Sequence, residues 1–139
     1  MNSKEQGNLG ESEVVYRLLK QGFEIYLPFL DSGRYDFILN DPSTDKIKKV
    51  EVKTTRSLRS NGDSYEVQLC GRTHKGGYKF FGELKSPDLL AVFVIPENKI
   101  VFFDVKRIKS KYKLLISKNK IQNNEYCENI NEILNPALV

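Results

Sequence analysis

Residues 48–55, KKVEVKTT, combine the alternation of a half-buried β-strand with an acid and a base on its polar side. Successive side chains of a strand point to opposite faces, so Val50 and Val52 share one face while Glu51 and Lys53 leave the other. Charged groups in a core-forming sheet are costly unless they are paired or bound to a metal. This segment therefore predicts a central strand that carries chemistry on one face.

The residues before this strand predict a helix and two further strands. The helix runs from about Lys4 or Asn8 to Lys20 and is stopped by Gly22. Residues 23–27 form a strand ended by a proline, and residues 35–39 form the next strand after turn-forming residues. The apolar stripe predicted for the helix consists of Val14, Val15, Leu18 and Leu19.

The residues after this strand predict more strands and a final short helix. The sequence Asn61-Gly62-Asp63 is a strong hairpin signal, and residues 64–70 follow as a strand. Residues 71–82 fit neither a helix nor a strand pattern. The apolar run at residues 89–95 suits a strand buried on both faces, with further strands at 100–105 and 111–116 and a helix at about 125–134. We expect an α/β fold with a mixed central sheet, forming one domain over residues 1–139.

The composition excludes several classes of protein. The chain has 139 residues, 40% of them hydrophobic and 29% charged, which is typical of one globular domain. No apolar run approaches the roughly 20 residues of a membrane helix, and the polar start is unlike a signal peptide. Cys70 and Cys127 are isolated, which argues against a disulfide framework or a zinc site. We expect an intracellular protein that does not enter membranes.

Four charged residues form the candidate catalytic set. If the second and third strands pair, Asp36 and Glu51 converge with Lys53 beside them, and Glu11 lies on or beside the buried face of the helix. Mg²⁺ prefers such hard oxygen ligands and needs only one or two carboxylates. Asp36, Glu51 and the backbone carbonyl of Val52 are the expected ligands. The alternative is a surface Glu–Lys ion pair, which contributes little.

The same residues suggest a hydrolytic reaction on a phosphodiester. A metal held there would stabilise the negative charge that develops on the scissile phosphate. Lys53 would orient and help to deprotonate the attacking water, or stabilise the transition state. Glu11 would assist as a supporting carboxylate or as a ligand of a second metal.

Three motifs resemble the PD-(D/E)XK nuclease superfamily: Gly10-Glu11, Tyr35-Asp36, and residues 50–54, VEVKT. Within it, the chain is most similar to small intron-type homing endonucleases, and next to archaeal Holliday junction resolvases. The resemblance ends at Thr55, and Tyr35 replaces the proline that usually precedes the first aspartate. It implies a restriction-endonuclease-like mixed β-sheet flanked by helices. It also implies Mg²⁺-dependent cleavage of DNA, with Mn²⁺ as a substitute, by Asp36, Glu51 and Lys53 assisted by Glu11.

The expected partner is double-stranded or branched DNA, cut by a homo-oligomer (a dimer or a tetramer). The expected DNA contacts are Arg56, Arg59, Arg72, Lys75, Tyr78 and Lys79. Residues 106–120 carry seven further basic side chains and no acid, a pattern of either a solvated surface or a phosphate-binding one. A sequence-specific homing-type endonuclease is the leading hypothesis. A junction resolvase and a non-catalytic DNA-binding module are the alternatives, and the intact catalytic set argues against the last.

Overall fold

A computed structural model describes residues 1–30, 35–69, 71–72, 78–79, 87–110 and 112–125, together with residues 130 and 134. Two α-helices and nine β-strands lie in these parts of the chain, with 3-10 turns at Ile95–Glu97 and Val105–Arg107. The helices are α1 (Ser3–Lys20) and α2 (Lys118–Gln122). The strands are β1 (Glu24–Tyr26), β2 (Phe37–Asp41), β3 (Lys46–Thr55), β4 (Ser64–Gln68), β5 (Gly71–Arg72), β6 (Tyr78–Lys79), β7 (Leu89–Val94), β8 (Lys99–Asp104) and β9 (Lys113–Ser117).

Helix α1 confirms the first predicted element and is capped at both ends. The side chain of Asn2 accepts a hydrogen bond from the N–H of Glu5, and the Glu5 carboxylate accepts one from the N–H of Asn2. This capping box satisfies two N–H groups that the first helical turn leaves unbonded. Gly22, with φ of 94°, follows the last turn. The predicted apolar stripe is wrong at Leu19, whose exposed fraction is 51%.

A mixed sheet of five strands, in the order β1-β2-β3-β7-β8, forms the centre of the domain. Strand β2 is antiparallel to both β1 and β3, β3 and β7 are parallel, and β8 is antiparallel to β7. All six residues of β7 are buried, as the continuous apolar run predicted. The mixed α/β architecture is therefore confirmed. The second strand starts two residues later than predicted, so Asp36 precedes it rather than lying inside it.

The two faces of this sheet are covered by different elements. On the first, which we call the helix face, Val14 and Leu18 of α1 pack against Phe37 and Val50. Ile130 and Leu134 join this cluster in helical conformation, within the predicted C-terminal helix. The rest of that helix after Glu125 lies outside the described residues. The second face, the ribbon face, is covered by the antiparallel pair β4–β9 and by α2.

Two connections differ from the sequence expectation. The Asn61-Gly62 turn is present, with Gly62 at φ of 75°, but it joins β4 only to the short segment that follows β3. The full register of β4 is with β9, a pairing that local sequence does not specify. Residues 71–82 fit neither a helix nor a strand pattern, and within them β5 and β6 pair as a short antiparallel ribbon. Among the described residues, no helix has the length and apolarity needed to cross a membrane.

Candidate active site

The candidate site lies where β3 continues beyond the end of β2. Strand β2 pairs with β3 only from Lys46 to Val50. Just before β2, the N–H of Asp36 donates to the carbonyl of Val50 at 2.9 Å. The Oδ2 atom of Asp36 accepts from the N–H of Val52 at 2.6 Å. Asp36 is thus bonded to the residue on each side of Glu51, which places the two acids together.

Glu51 and Lys53 form an ion pair on the ribbon face of β3. The Lys53 Nζ atom lies 3.2 Å from Glu51 Oε1, and the side chains are 33% and 21% exposed, respectively. Thr55, which shares their face, donates its hydroxyl to the carbonyl of Glu66 in β4. This partial burial shields the pair from solvent more than a surface pair is shielded, yet leaves it open to a substrate.

The backbone of β3 also presents an oxygen at this edge. The N–H and the carbonyl of one strand residue point to the same side of the strand. Because the N–H of Val52 is bonded to Asp36, the Val52 carbonyl also faces the side from which Asp36 approaches. On this edge two residues further on, the side-chain amide of Gln6 in α1 donates to the carbonyl of Thr54 at 3.3 Å.

Glu11 approaches this strand from the other face of the sheet. It is half-buried on α1, directly after Gly10, which packs against the side chain of Thr54. Reaching Asp36 and Glu51 from the helix face requires passing around the open edge of β3. In the part of the chain that the structure describes, no three Asp, Glu, His or Cys side chains form a group able to hold a metal ion. The assisting role of Glu11 stays a prediction.

The donor atoms at this edge fit a hard divalent cation. Asp36 and Glu51 each supply carboxylate oxygens, and the Val52 carbonyl faces the same edge. Mg²⁺ keeps several of its waters and is commonly held by one or two carboxylates plus substrate phosphate, so three donors suffice. Lys53 lies close enough to Glu51 to place a positive charge beside the same position.

Asp88 has a structural role that the sequence did not reveal. Its N–H donates to the carbonyl of Lys49 at 2.9 Å, and its Oδ2 accepts from the N–H of Lys49 at 2.9 Å. Asp88 thus holds the β7 edge of β3 just before Val50, while Asp36 holds the opposite edge just after it. The position of Asp88 directly before the buried strand β7 is the sequence feature that could have indicated this role. Gln6, four residues before Gly10 and thus on the same side of α1, was not predicted from the sequence.

The predicted DNA-contacting residues follow β3 and β4. The guanidinium of Arg56 is exposed and donates to the carbonyl of Met1 at 3.1 Å, and Arg59 lies 3.7 Å from a carboxylate oxygen of Glu66. Arg72, Tyr78 and Lys79 belong to the β5–β6 ribbon. Lys75 lies outside the described residues.

The chain is similar to proteins from several sources. The chain is 28% identical to Protein 5.3 of Escherichia phage T7 over 115 residues, which cover 81% of this chain and 88% of that protein. It is 30% identical to a UPF0102 protein of Caldicellulosiruptor saccharolyticus over 122 residues, 81% of this chain and 100% of that protein. Its fold resembles that of the bacterial homing endonuclease I-Ssp6803I, with a TM-score of 0.63 and 20% identity over 83% of this chain and 75% of the other.

The sequence pattern of one nuclease family extends over nearly the whole chain. It covers residues 1–132, and so includes β3, Asp36 and the helix that carries Glu11. The initial resemblance, which ended at Thr55, is thereby extended through the second half of the domain. The chain belongs to the PD-(D/E)XK endonuclease family.

Proposed function

We propose that this endonuclease is a Mg²⁺-dependent enzyme that hydrolyses phosphodiester bonds in double-stranded DNA, and that it is a sequence-specific enzyme of the homing type. The observation that carries the proposal is the double attachment of Asp36 to the residues flanking Glu51, with Lys53 paired to Glu51. The homing type is proposed because the solved structure that this fold resembles is a bacterial homing endonuclease.

Each residue of the site has a distinct task in this mechanism. Asp36, Glu51 and the Val52 carbonyl would hold Mg²⁺, which, when bound, supplies positive charge to the scissile phosphate. Lys53, now paired to Glu51, can turn its ammonium group toward the phosphate or the attacking water. There it would orient that water and stabilise the charge of the transition state. The bond of Asp36 to Val52 holds its carboxylate in place before substrate arrives.

The decisive experiment compares cleavage by the wild-type chain and by two variants. Asp36→Asn keeps an oxygen that can accept from Val52, so the fold survives while the negative charge is lost. Lys53→Ala removes the ammonium group. We expect each variant to lose roughly a hundredfold or more in cleavage rate with Mg²⁺, and EDTA to stop the wild-type enzyme. DNA binding should remain largely intact.

Asp88→Asn is the matched control, because Asp88 also bonds to the backbone of β3 but lies at its other edge. It should cut at a rate close to that of the wild-type chain. Cleavage that survives both Asp36→Asn and Lys53→Ala would remove the proposed mechanism.

The choice of substrate separates the homing type from a junction resolvase. A pool of random linear duplexes and a synthetic four-way junction should be incubated with the enzyme and Mg²⁺. Cleavage at one recurrent sequence supports the homing type, whereas cleavage of the junction alone supports a resolvase. Binding without cleavage of either substrate would favour a non-catalytic module. Cutting both strands needs one site per strand, so we also expect a dimer or tetramer in light-scattering measurements.

A further inference from the structure

We propose that Lys106, Arg107 and Lys109 form a second phosphate-binding surface, which we call the basic track, for the DNA strand that is cut. The inference rests on the proposed function and adds a contact region beyond the residues that follow β3 and β4. It is carried by the placement of these side chains, by the absence of ion pairs at them among the described residues, and by the separation of their segment from Glu51.

The segment that carries the basic track is anchored on the ribbon face. The apolar side chains of Val105 and Ile108 pack against the buried cluster of that face. Lys106, Arg107 and Lys109 alternate with these anchors and are exposed. The anchoring fixes the segment that carries the three cations to the ribbon-face cluster at the end of β8, instead of leaving it unattached.

The nearest acid along the chain is Asp104, whose carboxylate accepts a hydrogen bond from the N–H of Lys106. No acidic residue occurs between Asp104 and Glu125. Among the described residues, none of the three side chains forms an ion pair, whereas Lys113, further along, lies 3.6 Å from Glu66. Uncompensated cations spaced along one face attract the phosphate backbone of nucleic acid.

The hydrogen bonds between strands set the distance from the basic track to the catalytic strand. The N–H of Val105 donates to the carbonyl of Asp88, and the N–H of Asp88 donates to the carbonyl of Lys49. Val105 is therefore separated from Lys49 of β3 by two strand spacings, about 10 Å across the sheet. Glu51 is two residues from Lys49, about 7 Å along β3. The resulting separation of about 12 Å joins Glu51 to Val105, the anchor just before the basic track, and equals the axial rise of roughly three or four phosphates of one DNA strand. A duplex cut at Glu51 can therefore reach the basic track.

The test is a binding measurement with Ca²⁺ in place of Mg²⁺, on a fluorescent duplex and at several salt concentrations. In the variant Lys106→Gln/Lys109→Gln, we expect the Kd at about 0.1 M salt to rise about tenfold. We also expect the slope of log Kd against log salt to fall by about one to two, since each phosphate contact contributes about 0.9. The matched control Lys20→Gln/Lys48→Gln removes the same charge from the helix side of the sheet and should stay within about twofold of wild type.

Equal weakening in the two double variants would mean that only net charge matters, and an unchanged slope would mean that the basic track is a solvated surface. Either result overturns this inference but leaves the proposed function standing if the wild-type chain still cuts DNA with Mg²⁺. A wild-type chain that neither binds nor cuts DNA would contradict both.

Discussion

The close approach of α1 to β3 at Gly10 leads to a quantitative prediction. A Cβ atom added to Gly10 would overlap Thr54 Oγ1 and lie 2.9 Å from Thr54 Cβ. The hydroxyl of Thr54 is buried and has no hydrogen-bond partner in the described parts of the structure. Because Thr54 is β-branched, its side chain cannot easily rotate away from an added Cβ atom. Overpacking of this kind costs about 1–3 kcal/mol. Gly10→Ala should therefore destabilise the domain, although alanine favours a helix by about 0.5–1 kcal/mol over glycine.

Gly7→Ala is the matched control within the same helix. An added Cβ at Gly7 has no atom within 4 Å, so this variant gains the helix preference without a clash. The difference in free energy of unfolding between the two variants, measured in urea, isolates the overpacking cost of about 1–3 kcal/mol. Thr54→Ala combined with Gly10→Ala should recover part of the loss. If Gly10→Ala were as stable as Gly7→Ala, the proposed packing of α1 on β3 would be wrong.

Two further predictions concern Asp88 and Tyr65. Asp88→Ala removes the acceptor of the Lys49 N–H and should lower the free energy of unfolding by about 1–3 kcal/mol. Asp88→Asn keeps an acceptor and should lower the free energy of unfolding by less. Urea unfolding of both variants tests this. Burial and the hydrogen bond to Glu97 raise the pKa of Tyr65 to about 12. Since ionisation of Tyr65 is disfavoured in the folded state, stability should fall as pH rises from about 10 to about 12. Tyr65→Phe should make this fall smaller. If Tyr65→Phe lost as much stability at alkaline pH as the wild-type chain, this prediction would be contradicted.

Local patterns were sufficient for most elements of the central sheet. The continuous apolar run predicted β7, and the alternation in residues 48–55 correctly assigned Val50 and Glu51 to opposite faces of β3. These features depend on side-chain periodicity alone, which can be determined from a short stretch of consecutive residues. For the same reason, the pair Glu51 and Lys53 could be recognised before the fold was known.

Long-range pairing could not be read in this way. The pairing of β4 with β9 joins residues about fifty positions apart, and no local signal specifies it. The bonds of Asp36 depend on β2 starting at Phe37, two residues later than predicted, and periodicity does not define this boundary. The position of Glu11 relative to the two acids depends on how closely α1 packs on β3. This packing involves the contact of Gly10 with Thr54, which the sequence pattern does not specify.

Beyond Val50, β3 is no longer paired with β2, so this part of the strand has an edge without a partner strand among the described residues. Such edges invite pairing with strands of other molecules, and natural proteins usually protect them with charges or coverings. Here the carboxylate of Asp36 and the amide of Gln6 occupy backbone groups of that edge. These two side chains would therefore also deter pairing with strands of other molecules, so apolar replacements of Asp36 should lower solubility as well as the proposed activity.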